Sequence, residues 1–441
     1  VCDDEAAIAY FREVAATHAR CFWLDGAGGR DWSGRTSHIG WLADKDVSLS
    51  YTASDGLVRR HVGDAVEAVG TDIFTVLDQE LACGPDDVEW VGYLGYAARS
   101  DLPARPSGDL PDSVWMRAGH VRRFEHPPAE PPGAGAVLPH PLETGREDAY
   151  RTAFARVREQ LHAGNSYEVN LTYRVGVEAD SAAVETYLAL RRRNPAPYAG
   201  FLQHDVAGAR AWVLSSSPER FVTIDAHGWA ESRPIKGTTA RGATASDDLW
   251  LRDQLADDPR FRAENLMIVD LIRNDLGTVS RAGTVSTPRL MEVESYASVH
   301  QLVSTVRGRL RGDVSTVAAI RALFPPGSMT GAPKLRTMQV IDEVEDTPRG
   351  VYSGAFGRVA ASGEADLGVV IRSLVTDGSG RWSVGTGGGI TVHSDVESEL
   401  TETRVKATRL LDVLHRTDGD GRAIDDRLRG RRLPTWDVAS S

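Results

Sequence analysis

The apolar positions of this chain change period repeatedly and never settle into one alternation. From Asp4 to Arg20 they recur at helical spacing, whereas "VEWVGYLGYAA" (88 to 98) alternates as a strand does. Residues 147 to 170, "EDAYRTAFARVREQLHAGNSYEVN", read as an amphipathic helix ended by Gly164-Asn165, a C-terminal cap signal. Strand-like "AWVLSSSPERFVTI" (211 to 224) and "RWSVGTGGGITVHS" (381 to 394) follow, interspersed with helices predicted over 247–276, 333–343 and 396–415. A doubly wound parallel sheet would show regular strand–helix alternation. This order predicts instead an α+β fold with antiparallel sheets.

One stretch breaks every period. Residues 126–145, "HPPAEPPGAGAVLPHPLETG", crowd prolines and glycines into a linker. It divides an N-terminal region (1–125) from a second region (146–415), and a polar tail (416–441) follows. The chain opens on Val1 rather than Met, as a piece of a longer polypeptide would.

With 41% hydrophobic and 25% charged residues, the composition is that of a globular protein. The net charge of -12 argues against a nucleic-acid or anionic-membrane surface, which would need a basic face. No apolar run reaches membrane-spanning length, and no signal peptide opens the chain. Cys2, Cys21 and Cys83 form no CxxC pair, which points away from a disulfide framework or thiolate zinc site and toward a reducing, cytoplasmic setting.

Several segments combine glycines with ionisable groups. "SSSPERF" (215 to 221) places Glu219 where a strand turns, and "ESRPIKGTTARG" (231 to 242) puts Lys236 between Ile235 and Gly237-Thr238, near Arg233 and Arg241. Taken singly, Glu219 is a solvated turn carboxylate and Lys236 a lysine reaching out from a strand end. The two arginines suggest instead a cationic pocket. In "RAENLMIVDLIRNDLG" (262 to 277), Glu264, Ile268, Leu271 and Asp275 share one helix face, although Glu264 also suits the helix dipole. In "ESELTETRVKA" (397 to 407), Glu399, Glu402 and Lys406 align, and Glu402 with Lys406 is an ordinary i,i+4 pair. Carboxylates converging from two helices, with no His or Cys cluster, are the oxygen-donor pattern of Mg²⁺.

Glycine runs complete the picture. "FPPGSMTGAPK" (324 to 334), "GVYSGAFG" (350 to 357) and "GTGGGI" (385 to 390) suggest strand ends whose amides cradle an anion. Neither nucleotide-binding glycine motif is present. Arg372 interrupts the apolar run "GVVIRSLV", so it should meet a carboxylate of the protein or of a ligand.

In motif order over residues 147 to 415, the chain resembles the chorismate-utilising enzymes, a family that includes synthases of anthranilate, aminodeoxychorismate, isochorismate and salicylate. The resemblance implies two large antiparallel β-sheets forming a sandwich with helices outside, holding Mg²⁺ and chorismate. It implies Glu264 and Glu402 as metal ligands, with Glu399 near and acting through water. It also implies Gly237, Thr238, Tyr352, Arg372, Gly387, Gly388, Gly389 and Lys406 as chorismate contacts, and His300 of "SVHQLVS" as an active-site histidine. Chorismate is a dicarboxylate, so Mg²⁺ suits its ring carboxylate, while Arg372 and glycine amides suit the enolpyruvyl carboxylate.

"PIKGT" is similar to the aminodeoxychorismate branch, where anthranilate synthases carry alanine in place of the lysine. That likeness implies that Lys236 attacks ring C2 and that ammonia then adds at C4. Glu219 serves as acid for the leaving hydroxyl and afterwards as base. An unperturbed lysine, with a pKa of about 10.4, is neutral in only about one molecule in a few thousand at pH 7. Desolvation, Mg²⁺ and the arginines are therefore expected to lower the value. "FWLDG" (22 to 26) stands where tryptophan-regulated anthranilate synthases carry "LLES", with Gly26 in place of the serine, which argues against tryptophan feedback.

None of the three cysteines lies in an amidotransferase elbow, so ammonia is expected from a class I glutamine amidotransferase, as a partner subunit or fused domain. Two alternatives stand beside this reading. One is a synthase of anthranilate or 2-amino-2-deoxyisochorismate; the other is a non-catalytic subunit that binds an aromatic ligand.

Overall fold

Strands of this chain pair antiparallel and collect into two sheets. The structure is a computed structural model that describes residues 3–29, 32–85, 88–127, 146–296 and 299–414. The tail and all of the linker beyond Pro127 lie outside the described residues.

Among the described residues, the smaller sheet has nine strands, with Glu168–Glu178, Arg381–Ile390, Ser373–Thr376 and Ala211–Ser217 adjacent in that order. In the larger sheet of twelve, Ile235–Ala240 lies beside Val299–Arg309, followed by Trp229–Arg233, Arg220–Ile224 and Ala365–Val369. Each sheet draws strands from both sides of the linker: Arg20–Asp25 pairs with Tyr198–His204, and Glu89–Leu94 pairs with Ala355–Ala360.

A middle core of Phe22, Tyr93, Met116, Leu202, Val213 and Phe356 mixes side chains of both sheets. Each fully buried large side chain contributes roughly 1.5–3 kcal/mol. Helices close the outer faces: Arg146–His162 and Val396–Leu414 pack with the smaller sheet, and Pro259–Val279 and Thr316–Leu323 with the larger. This is the sandwich with outer helices that the sequence leads one to expect.

Two differences from the sequence reading matter for the site. The helix predicted over 247–276 is two helices, Ala245–Asp257 and Pro259–Val279. Pro259 cannot continue a helix, and the Asp258 side chain caps the second one, accepting from the Arg260 amide at 2.8 Å. Arg372 is not inside a strand either. It sits in the link between Ala365–Val369 and Ser373–Thr376 with φ of +50°, a left-handed conformation that costs a non-glycine residue roughly 1–3 kcal/mol.

That link carries the chain from the larger sheet into the smaller. A second crossing, Pro218-Glu219, leads from Ala211–Ser217 back to Arg220–Ile224. Glu219 and Arg372 therefore both stand at the seam between the sheets.

Candidate active site

Lys236 owes its direction to a β-bulge. Between the pairs Ile235↔Val303 and Thr238↔Gln301, its strand holds one residue more than its partner. Gly237 takes up the irregularity at φ of +85°, and a Cβ there would lie 2.8 Å from the Phe261 ring. The lysine side chain is 11% exposed, and its Nζ donates to Oε1 of Glu168, a carboxylate only 1% exposed. It does not reach out to solvent. Thr238, the next residue after the bulge, is exposed.

The glycines of "GTGGGI" explain how these groups fit. They lie within the strand Arg381–Ile390, laddered to Glu168–Glu178, rather than at a strand end. A Cβ on Gly389 would stand 2.2 Å from Glu168 Oε1 and 3.0 Å from Lys236 Nζ; one on Gly385 would stand 2.1 Å from the Tyr352 ring. Gly388 faces the other way, where a Cβ would come 2.9 Å from Glu399 Oε2. The last pair with Ser373–Thr376 is Leu374↔Val384, so from Gly385 onward this strand has a strand neighbour on one side only. Along that stretch Gly387 accepts a hydrogen bond from Lys406 at 3.0 Å.

Three charges act on Lys236. Burial alone pulls its pKa down, but Glu168, Glu264 and Glu219 outweigh it and raise the value. The expectation of a lysine pre-activated by a lowered pKa is thereby corrected: this side chain rests as an ammonium. Arg233 and Arg241 have no part in the balance. Arg233 is paired with Glu294 and Arg241 with Asp248, at 2.7 Å for the latter, so the cationic pocket expected from them is absent.

Glu219 is 7% exposed, and burial pushes its pKa up to about 7 despite the Ser328 hydrogen bond and the charges of Lys236 and Lys406. Such a carboxyl is suited to give and take a proton near neutrality. Glu264 is likewise pushed up to about 7, by burial and by Glu168 and Glu399. Glu399 is raised by burial, with the Glu402 charge adding to the effect. Glu402 is held low by Lys406, its partner at 2.7 Å. Asp275, on the Glu264 face of the same helix, pairs with Lys334 of "TGAPK" at 2.6 Å and is thereby set apart.

Among the described residues, no three metal-binding side chains are already gathered. The donor set nonetheless fits Mg²⁺, which needs one or two carboxylates and completes its shell with water and substrate oxygens. Burial disfavours the charged forms of Glu264 and Glu399, a cost that a cation bound beside them would relieve. Glu402 joins them only by leaving Lys406.

Arg372 has no ion pair and no side-chain hydrogen bond among the described residues, and burial together with Arg409 pushes its pKa below the usual arginine range. Tyr352 is 7% exposed, with the Arg174 guanidinium 4.5 Å from its ring centre. An unpartnered arginine beside an open strand edge is suited to a ligand carboxylate. His300 is different. Its Nδ1 lies 2.8 Å from Ser295 Oγ and its Nε2 3.0 Å from Asp248 Oδ1, so both ring nitrogens are engaged. The ring thereby ties Val299–Arg309 to the helix Ala245–Asp257.

Gly26 lines a separate cavity of about 230 Å³ with Tyr198 and Asp366. A Cβ at this position would stand 2.6 Å from the Thr36 backbone, so this backbone admits no serine there.

Sequence reasoning missed Glu168. Its signal, a carboxylate heading the strand "EVNLTYRV", is weaker than that of Arg372, because the same strand also carries Asn170, Thr172 and Arg174.

Buried carboxylates from two helices, a buried lysine and an arginine with no ion pair among the described residues make up a candidate site suited to an anionic small molecule. The chain belongs to the chorismate binding enzyme family, whose pattern matches residues 19–412. Among its relatives it is 40% identical to an aminodeoxychorismate synthase of Streptomyces pristinaespiralis, over 97% of this chain and 66% of that protein. It is 41% identical to aminodeoxychorismate synthase component 1 of Klebsiella aerogenes, over 80% of this chain and 85% of that one. The chain spans about two thirds of the length of its Streptomyces relatives, 66% and 64%. Its fold is similar to that of anthranilate synthase component I from Streptococcus pneumoniae, with a TM-score of 0.70 at 24% identity, covering 85% of this chain and 92% of that one.

Proposed function

We propose that this chain aminates chorismate at C4, as the synthase component that makes 4-amino-4-deoxychorismate. The observation that carries the reading is Lys236, turned by a bulge into the seam and held over Gly389, where a nucleophile can reach a ring bound along the open strand edge.

Arg372, with Tyr352 beside it, binds one substrate carboxylate and orients the ring. Magnesium, when bound by Glu264 with Glu399 or Glu402, supplies Lewis-acid polarisation at the other carboxylate. Lys236, once neutral, attacks C2. Both ring double bonds shift, from C1–C2 to C1–C6 and from C5–C6 to C4–C5, and the C4–O bond breaks, with Glu219 protonating the departing hydroxyl. Ammonia then adds at C4, the lysine leaves C2, and Glu219 takes back a proton from the new ammonium.

Ammonia comes in this reading from a class I glutamine amidotransferase, as a partner subunit or a fused domain. The name "component 1" of the enterobacterial relatives supports a partner. A second reading, anthranilate synthesis, draws on 32% identity to anthranilate synthase component 1 of Streptomyces coelicolor over 88% of this chain. Incubation with chorismate, Mg²⁺ and ammonium separates the two. The 4-amino product supports the proposal; a 2-amino product, or binding without turnover, overturns it.

A further inference from the structure

Glu168 is the group the sequence left unassigned, and its position is chemically pointed. Its carboxylate is 1% exposed, Oε1 touches Lys236 Nζ, and the buried Oε2 has no hydrogen-bond partner among the described residues. The Ser166 hydroxyl beside it donates to the backbone oxygen of Glu168, not to the carboxylate. The pair rests on Gly389, the one residue type that leaves room for both groups.

A buried carboxylate oxygen without a donor is unfavourable unless the geometry has a use for it. The neutral pair, amine beside carboxylic acid, removes both charges from this low-dielectric place and gives the carboxyl group a proton to donate. We propose that Glu168 is a catalytic residue, the acceptor of the Lys236 proton. It holds the lysine as an oriented ammonium in the resting site and takes one proton as the amine attacks. The inference rests on the reading of Lys236 as nucleophile.

The balance closes over a turnover. The Lys236 ammonium gives a proton to Glu168 and the free amine forms the C2–N bond. The C4–O bond breaks, and the hydroxyl leaves as water with the proton of Glu219. Ammonia then forms the C4–N bond, the C2–N bond breaks, and Glu219 is reprotonated from the C4 ammonium. The released amine takes its proton back from Glu168. The net change is chorismate plus ammonia to aminodeoxychorismate plus water, with every protein group restored. The raised pKa of Lys236, where three acids outweigh burial, agrees with a lysine that needs such an acceptor.

The test follows adduct formation in single turnover, with the full chain, chorismate and Mg²⁺ but no ammonia. The readout is an intact-mass gain of one chorismate less one water, followed across pH. Glu168→Gln is expected to slow the step roughly a hundredfold at neutral pH and to make its rate climb with pH below about 7, where protonated Glu219 keeps wild type level. Glu168→Asp keeps a carboxylate and is expected to recover part of the rate, which separates proton transfer from loss of packing. A wild-type or faster rate in Glu168→Gln, or a Glu168→Asp variant as slow as Glu168→Gln, overturns the proposal. Absence of an adduct in wild type, with 4-amination intact, overturns the nucleophilic role of Lys236 instead.

Discussion

Two buried ionic clusters lie close together in this molecule, and they are built on opposite rules. Arg349 donates to both oxygens of Glu345, at 3.0 and 2.7 Å, and to the backbone oxygens of Met329 and Asn170. Glu345 in turn accepts from the amide and hydroxyl of Thr172, each at 2.8 Å. Every group there has its partner within the protein. At the seam, by contrast, Glu168 keeps an oxygen without a partner and Arg372 has no ion pair among the described residues, and Glu219 and Glu264 are each pushed up to about 7. A satisfied cluster braces the strands; an incomplete one leaves its charges for a ligand.

The contrast can be broken at either end. The largest expected effect is on catalysis: Lys236→Ala should cut 4-amination roughly a thousandfold or more in a steady-state assay with ammonium. In the braced cluster, Arg349→Met should leave Glu345 buried and unpaired, lowering stability by about 3–5 kcal/mol in denaturant unfolding, while the folded fraction keeps its activity. Arg372→Gln should do the reverse. With no protein partner to lose, stability should hold, and the KM for chorismate should rise roughly ten- to hundredfold.

The smallest effect is a pH dependence. Glu219 must be protonated to release the C4 hydroxyl, and burial raises its pKa to about 7, so the competent acid prevails below that pH and is lost above it. The chemical step should therefore slow about tenfold per unit once pH passes well above 7, as a single ionisation requires. A step that stays level from pH 6 to 9 would remove Glu219 from the acid role.

How much of this was legible in the chain depended on local contrast. Lys236 and Arg372 announced themselves because each interrupts an apolar or glycine-bounded stretch, whereas Glu219 stood out only by its place where a strand turns. The helix break at Asp258-Pro259 was equally written in the sequence, and the apolar period that runs across it concealed it. Glu168 was hidden because its meaning lies in a partner 68 residues away, brought to it only when the strands joined their separate sheets. His300 was singled out by its motif, but its contacts with Ser295 and Asp248 at both ring nitrogens could be read only from the fold. The charge state of Lys236 likewise follows from three acids that only the fold assembles.

The central claim is that Lys236 bonds covalently to the substrate. The direct measurement is to incubate the chain with chorismate and Mg²⁺ without ammonia, digest it, and locate any modified peptide by mass spectrometry. An adduct on Lys236 is expected, and it should disappear when ammonium is added and 4-amino-4-deoxychorismate is released. Steady 4-amination with an unmodified Lys236 peptide at every time point would contradict it.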